Sequence, residues 1–168
     1  MLLNPNQLNW TVKLLEGKLV FQEGGRRVGE LKLVSLFGNS HIVNFKGHRY
    51  IIHPEILGKN RFRIYNSSND RQLAIVKFNF WKSESIMEYQ FMEYQLKSAF
   101  LGVFGTYWKV KDQRRYLSFS NQIFSGTVIE SVPNEEMYHL FVLAAIQSMF
   151  IYSLLLLLTI SVVLFVLF

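Results

Sequence analysis

Four groups of basic side chains offer the most direct chemistry in this sequence. They are Arg26–Arg27, Lys46 with His48 and Arg49, Lys59 with Arg61 and Arg63, and Lys109 with Lys111, Arg114 and Arg115. On an extended strand, residues two apart share a face, so Lys59, Arg61 and Arg63 form one row, and Lys109 and Lys111 another. Such a row holds anionic phosphate, at roughly 1 kcal/mol per basic residue near a membrane surface. The candidate headgroup-binding residues are therefore Lys59, Arg61, Arg63, Lys109, Lys111, Arg114 and Arg115. The competing reading of the same rows is a solvated outer face. Nucleic acid is not favoured, because the aromatic residues alternate with the basic ones and provide no exposed stacking platform.

Other chemistry finds little support. With no cysteine, disulfides, zinc thiolates and a thiol nucleophile are excluded. His41, His48 and His53 with Glu55 lack the spacing of a metal-binding helix motif and read as surface histidines. Gly24 and Gly29 have the separation of a phosphate loop. Glu30 and Leu31 stand where Lys and Ser or Thr are needed, so a hairpin turn is the better reading. No nucleophile elbow or paired-carboxylate motif is recognisable. The expectation is a protein that is not an enzyme, with no catalytic residues, no metal and no cofactor.

The elements that must position the basic rows are strands. "NWTVKLLEG" places Trp10, Val12 and Leu14 on one face, and "RFRIYN" sets Phe62 and Ile64 opposite Arg61, Arg63 and Tyr65. "RQLAIVKFNFW", "GTYWKVKD" and "RYLSFS" have the β-branched and aromatic content of half-buried strands. Turn residues punctuate them at Gly17, Gly24–Gly25, Gly38–Asn39, Gly47, Gly58 and Asn66 to Asp70. The spacing predicts about ten to twelve short strands in an all-β sandwich or barrel. "MEYQFMEYQL" repeats Met-Glu-Tyr-Gln after five residues, which puts the copies on opposite faces of one strand. A short helix is the alternative there.

After His139 the chain has no charge, proline or glycine through Phe168, while residues 1–139 carry all 18 Lys and Arg and all 12 Asp and Glu, and so the net +6. Asn134 follows Pro133 as a helix cap, and Glu135 and Glu136 suit the first turn. The tail has two textures. Up to Ser148 it is mixed and contains small residues, and from Leu154 it is almost wholly Leu, Val, Ile and Phe. A membrane span needs about 20 apolar residues. The N-terminus has no basic segment and only a two-residue apolar run, so it is not a secretory signal. A domain on the cytoplasmic side is expected.

"FKGHRYIIHPEILGKNRFRIYNSSNDRQLAIVKFN" and "NEEMYHLFVLAAIQSMF", in an order of hairpins followed by a terminal apolar helix, resemble the tubby-like superfamily, which includes LURP-one-related proteins and phospholipid scramblases. The resemblance covers roughly a third of the chain through these passages. It implies an all-β fold: a closed antiparallel barrel of about twelve strands around a C-terminal hydrophobic helix, and the length of the apolar tail adds the expectation that this helix continues as a membrane anchor. It also implies phosphoinositide-type headgroup binding. On this reading residues 1–134 form the barrel domain and 135–168 the helix, with 135–148 as barrel core and 149–168 as transmembrane anchor. Phe141, Ala144, Ala145, Gln147 and Ser148 then belong to the core helix, with Gln147 and Ser148 meeting partners at the barrel mouth. The terminal apolar extension, the lack of a cysteine cluster and the poor match of "PNEEMYHL" to a calcium-binding segment depart from the family pattern. The expected function is a membrane-anchored, non-catalytic module that binds anionic lipid or scaffolds at the membrane surface. A scramblase-type lipid transporter and an adaptor for a protein partner are the alternatives. The expected localisation is the membrane, through a single C-terminal span.

Overall fold

In "RFRIYN" the period-two pattern becomes burial directly, with Phe62 and Ile64 fully buried and Arg61 and Arg63 on the outer face. The computed structural model describes residues 7–32, 39–79, 82, 84–98, 106–110, 115–122, 125–128 and 134–167. Its strands are β1 (Leu8–Lys13), β2 (Lys18–Glu23), β3 (Arg26–Lys32), β4 (His41–Phe45), β5 (His48–Glu55) and β6 (Arg61–Asn66). They continue as β7 (Gln72–Asn79), β8 (Glu84–Tyr89), β9 (Met92–Ser98), β10 (Thr106–Val110), β11 (Arg115–Gln122) and β12 (Ser125–Val128). A single helical turn, α1 (Ile56–Lys59), links β5 to β6, and the long helix α2 (Glu135–Leu167) ends the chain.

Each strand lies antiparallel to its sequence neighbours, and β1 also pairs with β12, Leu8 opposite Val128, so the strand order closes into a barrel. Among the described residues, β3 and β4 share the register pairs Gly29 with Phe45 and Glu30 with Asn44. Gly29 is required there, because a Cβ would stand 2.5 Å from the Asn44 carbonyl oxygen. The Met-Glu-Tyr repeat is neither one strand nor a helix. It is the β8–β9 hairpin, pairing Met87 with Tyr94, Glu88 with Glu93 and Tyr89 with Met92. Its turn residues Gln90 and Phe91 both have positive φ, 48° and 63°, the signs of a type I′ turn.

The inward faces of the strands pack on α2. Met137 and residues 139–149 are buried, as is Ile151. Phe141, Ala144, Ala145, Gln147 and Ser148 are all fully buried. The Gln147 amide and the Ser148 hydroxyl have no hydrogen-bond partner among the described residues. Asn134 caps the helix, accepting from the Met137 N–H at 2.7 Å. At the entry of α2, Tyr50 Oη lies 2.7 Å from His139 Nδ1, and Tyr89 donates to Glu136 at 2.7 Å. Lys46 sits over the Tyr138 ring at 5.1 Å and pairs with Glu23 at 2.7 Å. Burial pushes the His139 imidazole down to about 4, aided by the charges of His48 and Lys46 and opposed by Glu135 and Glu136.

The C-terminal end of α2 corrects the expected fold class and localisation. Among the described residues, no helix is long and apolar enough to cross a membrane. This finding among the described residues overturns the expected membrane anchor over 149–168 and the expected localisation by a single C-terminal span. The physical reason lies in what already covers the helix. As far as Ile151, strands rather than lipid bury its apolar surface.

Candidate functional site

The basic row on β6 is assembled by the connection that precedes it. β5 ends at Glu55, and the chain reverses through α1, with Gly58 (φ 87°) and Asn60 (φ 46°) in left-handed conformation. Glycine adopts that conformation without a steric penalty, and asparagine tolerates it better than most residues. The Phe78 N–H on β7 donates to the Asn60 carbonyl at 2.9 Å and fixes the loop against the neighbouring strand. The resulting register sets Arg61 opposite Glu55 and Arg63 opposite His53.

Glu55 is the centre of the site. Its Oε2 accepts from Arg61 Nε at 2.5 Å and lies 3.8 Å from Lys59 Nζ, while its Oε1 lies 3.2 Å from Arg63 Nη2. Three cations meet one carboxylate, leaving two positive charges uncompensated within the cluster. Arg63 also donates to Tyr65 Oη at 3.4 Å, and its buried Nε has no hydrogen-bond partner among the described residues. The Arg61 hydrogen bond holds the Glu55 carboxyl below its usual range, with the charges of Arg61, Arg63 and Lys59 adding to it against a smaller opposing effect of burial. Lys77, the register partner of Arg61 on β7, is engaged by Glu88 on β8. The guanidinium pair at this edge is therefore shaped to grip one planar or tetrahedral oxyanion.

The cluster sits at the end of the barrel from which α2 emerges. Tyr152 lies 3.5 Å from the Asn79 carbonyl and 3.2 Å from Ser85 Oγ, and also bonds the Glu84 carbonyl. Asn79 directly follows Phe78, the residue bonded to the loop that carries Lys59. Burial raises the Tyr152 phenol to about 12. Beyond it the helix exposes Leu158, Ile160, Val162, Val163, Leu164 and Phe165.

The structure does not gather all the candidate headgroup residues. Lys109 and Arg115 are register partners on β10 and β11, beside a bulge at Trp108 and Lys109. β10 lies four strands from β6 around the ring, and the β10–β11 connection is at the opposite end from the β5–β6 connection. Lys111 and Arg114 lie outside the described residues. Among the histidines, His41 is buried, not superficial, and shares a hairpin with His48. Among the described residues no cluster of three or more His, Cys, Asp or Glu side chains is placed to hold a metal. Sequence reasoning missed Glu55 as the counter-ion. The available signal was its position at the end of a strand whose hairpin partner begins with Arg61 and Arg63.

No protein-family model matches the chain, and no curated protein matches it. Among solved structures, the X-ray structure of a protein from Arabidopsis thaliana is similar over 86% of this chain and 90% of its own length, with a TM-score of 0.58 at 14% identity. That likeness is one of fold alone.

Proposed function

We propose that the protein is a non-catalytic module, tubby-like in kind, that binds an anionic lipid surface with the end of the barrel from which α2 emerges. One observation carries this reading. The cationic cluster of Lys59, Arg61 and Arg63 and the exposed apolar helix surface at Leu158, Val162 and Phe165 lie at the same end of the molecule. Interfacial lipid binding needs both features together, apolar area for the acyl boundary and cations for the headgroups. The likeness of the β5–β7 passage to the tubby-like superfamily supports the same reading. Arg61 and Arg63 grip headgroup phosphate, and Lys59, the most exposed of the three at 60%, extends the positive field toward the surface.

Co-flotation with vesicles tests this. The full chain is expected to bind phosphatidylcholine vesicles containing phosphatidylserine more tightly than phosphatidylcholine alone, with affinity falling as salt rises. Reversing Arg61 and Arg63 to Glu should weaken that binding by about 30-fold or more, since each basic residue contributes about 1 kcal/mol near such a surface. Equal binding to both vesicles, unchanged by the reversal, would sink the reading.

A further inference from the structure

The cluster already contains an oxyanion. We propose that Glu55 occupies the place of the lipid phosphate in the free protein, keeping Lys59, Arg61 and Arg63 together until a headgroup displaces it. This inference rests on the lipid-binding reading above and concerns how that same site is regulated.

The geometry supports exchange rather than a permanent structural bridge. Both carboxylate oxygens of Glu55 are used, Oε2 by Arg61 at 2.5 Å and Oε1 by Arg63 at 3.2 Å, so one small anion spans the two guanidinium groups. A headgroup phosphate presents the same pair of oxygens to the same forks, because guanidinium recognises carboxylate and phosphate alike. Glu55 also faces outward, with its side chain 16% exposed. It can therefore swing into solvent without leaving a hole in the core. Without Glu55, three like charges would crowd one strand edge and splay apart into water. With Glu55 they stay ordered, but the site presents two net charges where it would present three. The carboxylate thus preorganises the site and lowers its affinity, so that only a surface dense in anions displaces it.

The Glu55→Gln variant of the full chain, on phosphatidylcholine vesicles with and without phosphatidylglycerol, tests this. The amide keeps the shape of the side chain and removes its charge. The expected result is about fivefold tighter binding to the anionic vesicles, the effect of one charge at the surface, with no change on neutral ones. Weaker or unchanged binding by the variant, while the wild type binds and the Arg61 and Arg63 reversal abolishes binding, overturns the role of Glu55 and leaves the lipid-binding reading intact. No wild-type preference for anionic vesicles overturns both. A second measurement does not depend on the variant folding: the Arg61 Nε–H resonance of the wild type, followed as phosphatidylglycerol bicelles are added. Exchange of Glu55 for phosphate should shift it. Vesicle binding with that resonance unmoved overturns the proposal.

Discussion

The two ends of the barrel differ in how the charged groups near α2 are placed. Where α2 enters, polar groups turn inward and engage one another: Tyr50 with His139, Tyr89 with Glu136, and Lys46 with both Glu23 and the Tyr138 ring. Where α2 leaves, Lys59, Arg61 and Arg63 face outward on a shared carboxylate, and the helix beyond them keeps its apolar side chains uncovered. The first arrangement locks a helix inside a ring of strands. The second leaves charge and apolar area available at one place, which is what a surface-binding end requires. Stability and binding are accordingly divided between the ends.

That division can be broken most forcefully from the entry half. Phe141 is fully buried, with its ring edge-on to Tyr94 at 5.1 Å. Phe141→Ala should lower the unfolding free energy by about 4 kcal/mol through lost transfer energy and a residual cavity, as measured by urea titration. Next in size is a pH effect centred on His139. Its folded value is lowered to about 4 from 6.5, so between those values the unfolded chain binds the extra proton. Stability is therefore full above about 6.5, falls as pH drops through that window, and is lower by about 2 kcal/mol at pH 5 than at pH 7. His139→Gln should flatten that slope, and an unchanged slope would assign it to other groups. The smallest effect belongs to the exit. Val162 is 62% exposed, so Val162→Ser should alter stability by less than about 0.5 kcal/mol. The same variant should weaken vesicle binding, and a large loss of stability instead would show that this helix face is packed in the folded protein.

Much of the wall of the molecule could be read from local pattern, because a half-buried strand must alternate and its turns need residues suited to unusual φ. Phe62 and Ile64 against Arg61 and Arg63 is such a case. The β8–β9 hairpin escaped because its turn is made by Gln90 and Phe91, neither of them a residue that favours positive φ, and the strand contacts impose the conformation instead. The cationic row was legible, but its organising carboxylate was not. Glu55 joins it through cross-strand register, which a single strand's alternation does not encode. The misreading of the tail has a deeper cause. A helix surrounded by strands and a helix surrounded by lipid both need apolar side chains on every face. Composition at Met149 and Ile151, expected to begin the anchor, therefore does not distinguish the two surroundings, and the ring that encloses these residues is specified elsewhere in the chain.

The placement of α2 also sets an order of assembly. It is the innermost element and follows every strand of the ring in the sequence, so the strands leave the ribosome before the surface they must pack against exists. Leu8 finds its partner only when Val128 has been made, and neither wall strand gains its core until the residues around Phe141 emerge. Such sequence-distant pairings are slow to form, and open strand edges in the waiting chain invite aggregation. The strands thus wait with an incomplete core until α2 emerges.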